Sequence, residues 1–68
     1  RKKIYVLELL SGNMYPGDEI IEKETNFGIV ISKINNYILC MLKINLAENK
    51  RVDEKNIKIK PSTQIKFL

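Results

Sequence analysis

Short apolar runs broken by glycine, proline and paired asparagines set the pattern of this chain. Ile4 to Leu10 is apolar apart from Glu8. Val, Ile and Tyr in that run favour a strand, while Leu7-Glu8-Leu9-Leu10 leaves a helical turn open. Ser11-Gly12-Asn13 reads as a turn, and Pro16-Gly17-Asp18 as a second turn that opens a strand over roughly 18–24. Gly28 interrupts the next run, Phe27-Gly28-Ile29-Val30-Ile31. A glycine inside a strand marks a bulge or sharp bend. A small barrel needs such bends to close. Ile57 and Ile59 alternate with Lys58 and Lys60, which predicts a strand with isoleucines inward and lysines outward. Pro61 to Gln64 breaks it, with a single 3₁₀ turn as one reading. Ile65 to Leu68 closes the chain as a last short strand.

The Asn35-Asn36 pair gives the clearest hairpin signal, because Asn tolerates the positive φ of a type I′ turn. A two-residue loop there sets Ile34 opposite Tyr37, Lys33 opposite Ile38 and Ile31 opposite Cys40. Unbroken alternation then assigns Ile29, Ile31, Ile38, Cys40, Leu42, Ile44 and Leu46 to the core face. Val30, Ile34, Tyr37, Leu39 and Met41 fall on the other face, which is unusually apolar for a solvent face. Either the N-terminal or C-terminal segment covers that stripe, or part of it stays open to a partner or to self-association. Ala47 to Arg51 reads as a polar turn.

These elements predict an all-β fold, one small barrel of five to six strands over residues 1–68. Residues 16–68 form its core, and 1–15 serve as an N-terminal strand or arm. A chain of 68 residues supports one modest core. Cys40 is the one cysteine, so no internal disulfide forms. Its apolar surroundings make it a small buried hydrophobe, and this fits a reducing compartment. No apolar run approaches the ~20 residues of a membrane helix. Arg1-Lys2-Lys3-Ile4 lacks a secretory core and a starting Met. The expectation is a cytoplasmic protein with no membrane partner, and the start without Met leaves open both a whole protein and an excised domain.

Charge is polarised along the sequence. Residues 1–7 carry +3, residues 8–24 carry −4 and residues 25–68 carry +5, for a net +4. The basic stretch suits phosphate or an acidic partner as well as plain solubility. Lys33, Lys43, Lys50, Arg51, Lys55, Lys58 and Lys60 are the candidate nucleic-acid contacts, with Tyr37 and Phe27 as stacking surfaces. Val30, Tyr37, Leu39 and Met41 are the candidate partner-binding stripe, with the acidic segment 18–24 setting orientation.

Catalytic chemistry finds little footing. Ser11, Ser32 and Ser62 have no histidine to activate them. Glu22 and Glu24, on one side of an expected strand, form the one carboxylate pair to consider. Asp18, Glu19 and Glu22 lack the ligand rhythm of a calcium loop. One cysteine without histidine builds no zinc site. The expectation is therefore a binding module rather than an enzyme, with no cofactor, no metal and no catalytic residue.

The turn, strand and bend pattern resembles the SH3-like small barrels. Within them, Gly17-Asp18-Glu19-Ile20 followed by Phe27-Gly28-Ile29-Val30 looks like the opening of KOW and Tudor-type domains. The resemblance spans residues 16–60. It implies a five-stranded barrel that binds nucleic acid or protein. The loop before the second strand, Glu22-Lys23-Glu24-Thr25, is acidic where KOW domains carry Gly and Lys. The segment Tyr5 to Gly17 is loosely similar to the first strand pair of Sm-like proteins. Pro16-Gly17-Asp18 and Val30-Ile31-Ser32 resemble MazF-like ribonuclease toxins. The arginine those toxins place after the first strand has no counterpart, since Arg1 and Arg51 are the only arginines. Two binding classes follow: docking on a protein partner of a nucleic-acid-handling machine, and direct RNA or DNA binding through the Lys/Arg face. The ribonuclease is a remote third.

Overall fold

In the computed structural model, which describes residues 1–53, 56–59 and 62–68, the apolar runs become six antiparallel strands and one helix. The strands are β1 (Lys2–Ser11), β2 (Glu19–Glu22), β3 (Thr25–Ile34), β4 (Tyr37–Lys43), β5 (Asn56–Ile59) and β6 (Thr63–Phe67); α1 (Ile44–Asp53) lies between β4 and β5. They form one sheet in the order β2-β3-β4-β1-β6-β5. The sheet curls until its outer strands β2 and β5 come alongside each other without a hydrogen-bonded ladder. The result is a small, nearly closed all-β barrel, compatible with an SH3-like barrel. The N-terminal segment is one of its two middle strands, laddered to β4 on one side and β6 on the other.

Turn chemistry explains the joints. Pro16 and Gly17 occupy the middle of a turn closed by Asp18 N–H donating to Tyr15 O at 2.9 Å. Gly17 has φ +95°, as the third position of a type II turn requires. The Asp18 carboxylate accepts from Tyr15 N–H at 2.8 Å. Gly17 N–H and Asp18 O then both bond Val30 at 2.8 Å, seating β2 against β3. Lys23 and Glu24 form a two-residue hairpin loop in which both take positive φ, 49° and 67°. Asn35 takes positive φ in the β3–β4 loop and Asn36 does not, so this turn departs from type I′. The Asn36 carbonyl instead accepts Leu9 N–H at 2.6 Å.

The core is a single cluster that includes Leu7, Ile20, Phe27, Val30, Ile38, Cys40, Leu42, Ala47, Ile57, Ile65 and Phe67. Ile57 and Ile59 point inward and Lys58 outward, as their alternation predicts; Lys60 lies outside the described residues. Tyr5 and Phe67 meet edge to face at 5.8 Å.

Two further expectations are corrected. Residues 44–53 are a helix, where the pattern suggested Ile44 and Leu46 on a strand and a polar turn at 47–51. Ala47, Glu48, Lys50 and Arg51 are good helix formers, and Lys50 and Arg51 sit in the last turn, where cations complement the helix dipole. Ala47 is fully buried, and Leu46 packs on the core. The second correction concerns register. The pairs Ile34–Tyr37, Lys33–Ile38 and Ser32–Leu39 hold as expected. A bulge at Ile31 then shifts the ladder, so that Val30 faces Cys40 and Ile29 faces Met41. The extra residue reverses the faces of Ile29 and Val30, and a second bulge, at Phe27 opposite Ile20–Ile21, returns Phe27 to the core. Val30 goes into the core, while Ile29 and Ile31 come out.

Candidate protein-binding face

The bulge gives the outer surface of β3, β4 and β1 its character. On the flat of these strands, residues directly opposite share a face. Ile4, Met41 and Ile29 form one row across the three strands, with Glu19 of β2 at its end. Val6, Leu39 and Ser32 form the next, beside the bulged Ile31. Ile4, Val6, Ile29, Ile31 and Tyr37 are each 40–50% exposed, and Leu39 and Met41 are half-buried. A row of Lys2 and Lys43 bounds this apolar band at one end, and a row of Lys66, Glu8, Tyr37 and Ile34 at the other.

Of the stripe expected from the sequence, Tyr37, Leu39 and Met41 lie on this face. Val30 does not: at 2% exposure it is core and is withdrawn as a contact residue. Ile29, Ile31, Ile4 and Val6 belong to the face and were missed. Ile29 and Ile31 were assigned inward by an unbroken alternation, and Ile4 and Val6 belonged to a segment with no assigned register. The apolar run around Gly28 carried the one hint, since a glycine in a strand warns of irregular pairing.

The cations expected to form a phosphate footprint are spread over different elements. Lys33, near the β3–β4 turn, donates to Asn13 Oδ1 at 2.9 Å and stands 5.0 Å over the Tyr15 ring. Lys43 ends β4 beside Lys2, about 17 Å from the Lys33 level at the usual strand rise. Lys50 pairs with the buried Glu22 at 2.7 Å, tying α1 to β2. Arg51 donates to the main-chain oxygen of Leu68 at 3.2 Å. Lys58 is exposed on β5, and Lys55 and Lys60 lie outside the described residues. Phe27 is core and offers no stacking face.

The carboxylates also part company. Glu22 is buried against Lys50, whereas Glu24 is exposed in the hairpin turn, so they do not share one strand face. Asp18 holds its own turn and Glu19 accepts from Asn26 at 2.9 Å. Among the described residues, two buried groups have raised pKa values. Burial pushes the Cys40 thiol up to about 12. The Tyr5 hydroxyl is likewise pushed up to about 12, by burial and by its 2.6 Å hydrogen bond to Glu48 on α1. At neutral pH both groups therefore hold their protons, and a thiol held neutral is a poor nucleophile.

A groove of about 850 Å³ follows the seam between β2 and β5, with Ile21 and Glu24 on one wall and Asn56, Lys58 and Ile59 on the other. Among the described residues, no helix is long and apolar enough to cross a membrane. Comparison of the chain with protein-family models, curated proteins and solved structures finds no match.

Proposed function

We propose that this chain is a non-enzymatic binding module that docks on a protein partner through the outer face of β3, β4 and β1. The observation that carries the reading is the pair of adjacent apolar rows, Ile4–Met41–Ile29 and Val6–Leu39, turned outward. A contiguous apolar patch rimmed by charge is the form a protein interface takes. Tyr37 at its margin supplies the aromatic anchor that interfaces favour. The resemblance to KOW and Tudor-type domains suggests a nucleic-acid-handling machine as the setting. The scattering of Lys33, Lys50, Arg51 and Lys58 weighs against a single phosphate-tracking surface. Lys2 and Lys43, side by side, are the observation that keeps direct nucleic-acid binding as the second reading.

The test compares proteins captured from source cells by the wild-type chain and by folded Leu39→Asp, identified by mass spectrometry. The reading expects a defined set retained by the first and lost by the second. It fails if the two capture the same proteins. A parallel titration with labelled single-stranded RNA should show weak binding; tight binding that falls steeply with salt and ignores Leu39→Asp would favour the second reading.

A further inference from the structure

We infer that one partner of this face is a second copy of the chain, packed sheet to sheet about a two-fold axis. The inference rests on the outer face of β3, β4 and β1 being a protein-binding surface. The order of charge along that face selects the occupant and its direction. Four rows cross it: Lys2–Lys43, then Ile4–Met41–Ile29, then Val6–Leu39, then Lys66–Glu8–Tyr37–Ile34.

A two-fold contact is self-complementary, so each row must tolerate the row it meets. An axis along the strands stacks the Lys2–Lys43 row on its own copy, setting four ammonium groups together. An axis across the strands, between the two apolar rows, reverses the mate. Ile4 and Met41 then lie over the mate's Val6 and Leu39, and the basic row lies over the mate's Glu8 and Tyr37, in a row whose charges, Glu8 and Lys66, sum to zero. Lys2 meets a carboxylate, and Lys43 meets an aromatic ring suited to a cation. Facing sheets pack about 10 Å apart, a gap that lysine and glutamate side chains span from opposite sides. The sequence of charges thus opposes one pairing and favours the other, which also keeps both apolar rows out of water.

Sedimentation equilibrium of the whole chain over a wide concentration range tests this. The expected result is a mass that rises from one chain to two, with little dependence on salt beyond the Lys2–Glu8 contribution. Leu39→Asp should hold the mass at one chain while circular dichroism stays that of the barrel. Val6→Lys, at a more exposed site, repeats the test should Leu39→Asp fail to fold. Lys2→Glu should weaken the dimer about tenfold. Combining it with Glu8→Lys should restore the affinity, which no other two-fold arrangement of this face explains. A chain that stays monomeric throughout overturns the inference, as does a dimer indifferent to Leu39→Asp and Val6→Lys. If the monomeric chain still captures cellular proteins in a Leu39-dependent way, the self-pairing is wrong and the binding face stands. If that capture is absent as well, both are wrong.

Discussion

At Gly28, a Cβ would overlap the carbonyl oxygen of Met41 on the neighbouring strand. β3 and β4 approach as closely as they do because no side chain intervenes. Gly28→Ala should destabilise the barrel by about 1–3 kcal/mol, measured by urea unfolding. The glycine was legible as a bend, but its partner was not, because the contact depends on register. The folded pKa of Tyr5, about 12, lies above the ordinary 10.0, so the folded state holds the proton more tightly. The resulting stabilisation is complete below pH 10 and is lost as pH rises through 12. Ultraviolet titration should show one tyrosine ionising near pH 12, and Tyr5→Phe should remove that step. An unchanged titration in the variant would contradict the assignment. Nothing in the sequence announced the Tyr5–Glu48 hydrogen bond, because it joins residues 43 positions apart across an unforeseen helix.

Among the elements, the strands were readable and the joints only partly so. Alternation located Asn56–Ile59 and its facing, and the paired asparagines located the β3–β4 turn. The β2–β3 hairpin was obscured by its residues. Lys23 and Glu24 both adopt positive φ, a conformation costing side-chain-bearing residues about 1–2 kcal/mol each. The pattern instead ran the strand on to about residue 24, whereas β2 ends at Glu22 and the turn follows at once. Replacing Lys23-Glu24 with Asn-Gly should therefore stabilise the domain by about 1–2 kcal/mol in urea unfolding, an unusual direction for a double substitution. Unchanged or lower stability would show that the turn is not strained. The helix was hidden for a different reason. Ile44 and Leu46 continue the two-residue rhythm of Ile38, Cys40 and Leu42, so periodicity runs past the end of the strand. The β1–β4 pairing in fact runs one step past the strand in the same register, Ile44 N–H donating to Arg1 O at 3.1 Å, and the helix starts at that residue. There Ala47 enters the core and Lys50 reaches Glu22.

For the whole molecule, the all-β barrel was legible, and the composition of its exposed apolar face was only half legible. Tyr37, Leu39 and Met41 follow from plain alternation along β4. Ile29 and Ile31 require the bulge at Ile31, which one chain's sequence does not specify because it is set by how β3 meets two neighbours at once. The bulge buries Val30 and turns Ile29 and Ile31 out to complete the proposed binding face. Urea unfolding of Val30→Asp beside Ile31→Asp tests it most directly. Aspartate at Val30 should cost most or all of the stability, because it buries an unpaired charge. Aspartate at Ile31 should leave a folded barrel with a loss of about 1 kcal/mol or less. The reverse order, with Ile31→Asp unfolded and Val30→Asp tolerated, would restore the unbroken register and remove the face on which the binding reading stands.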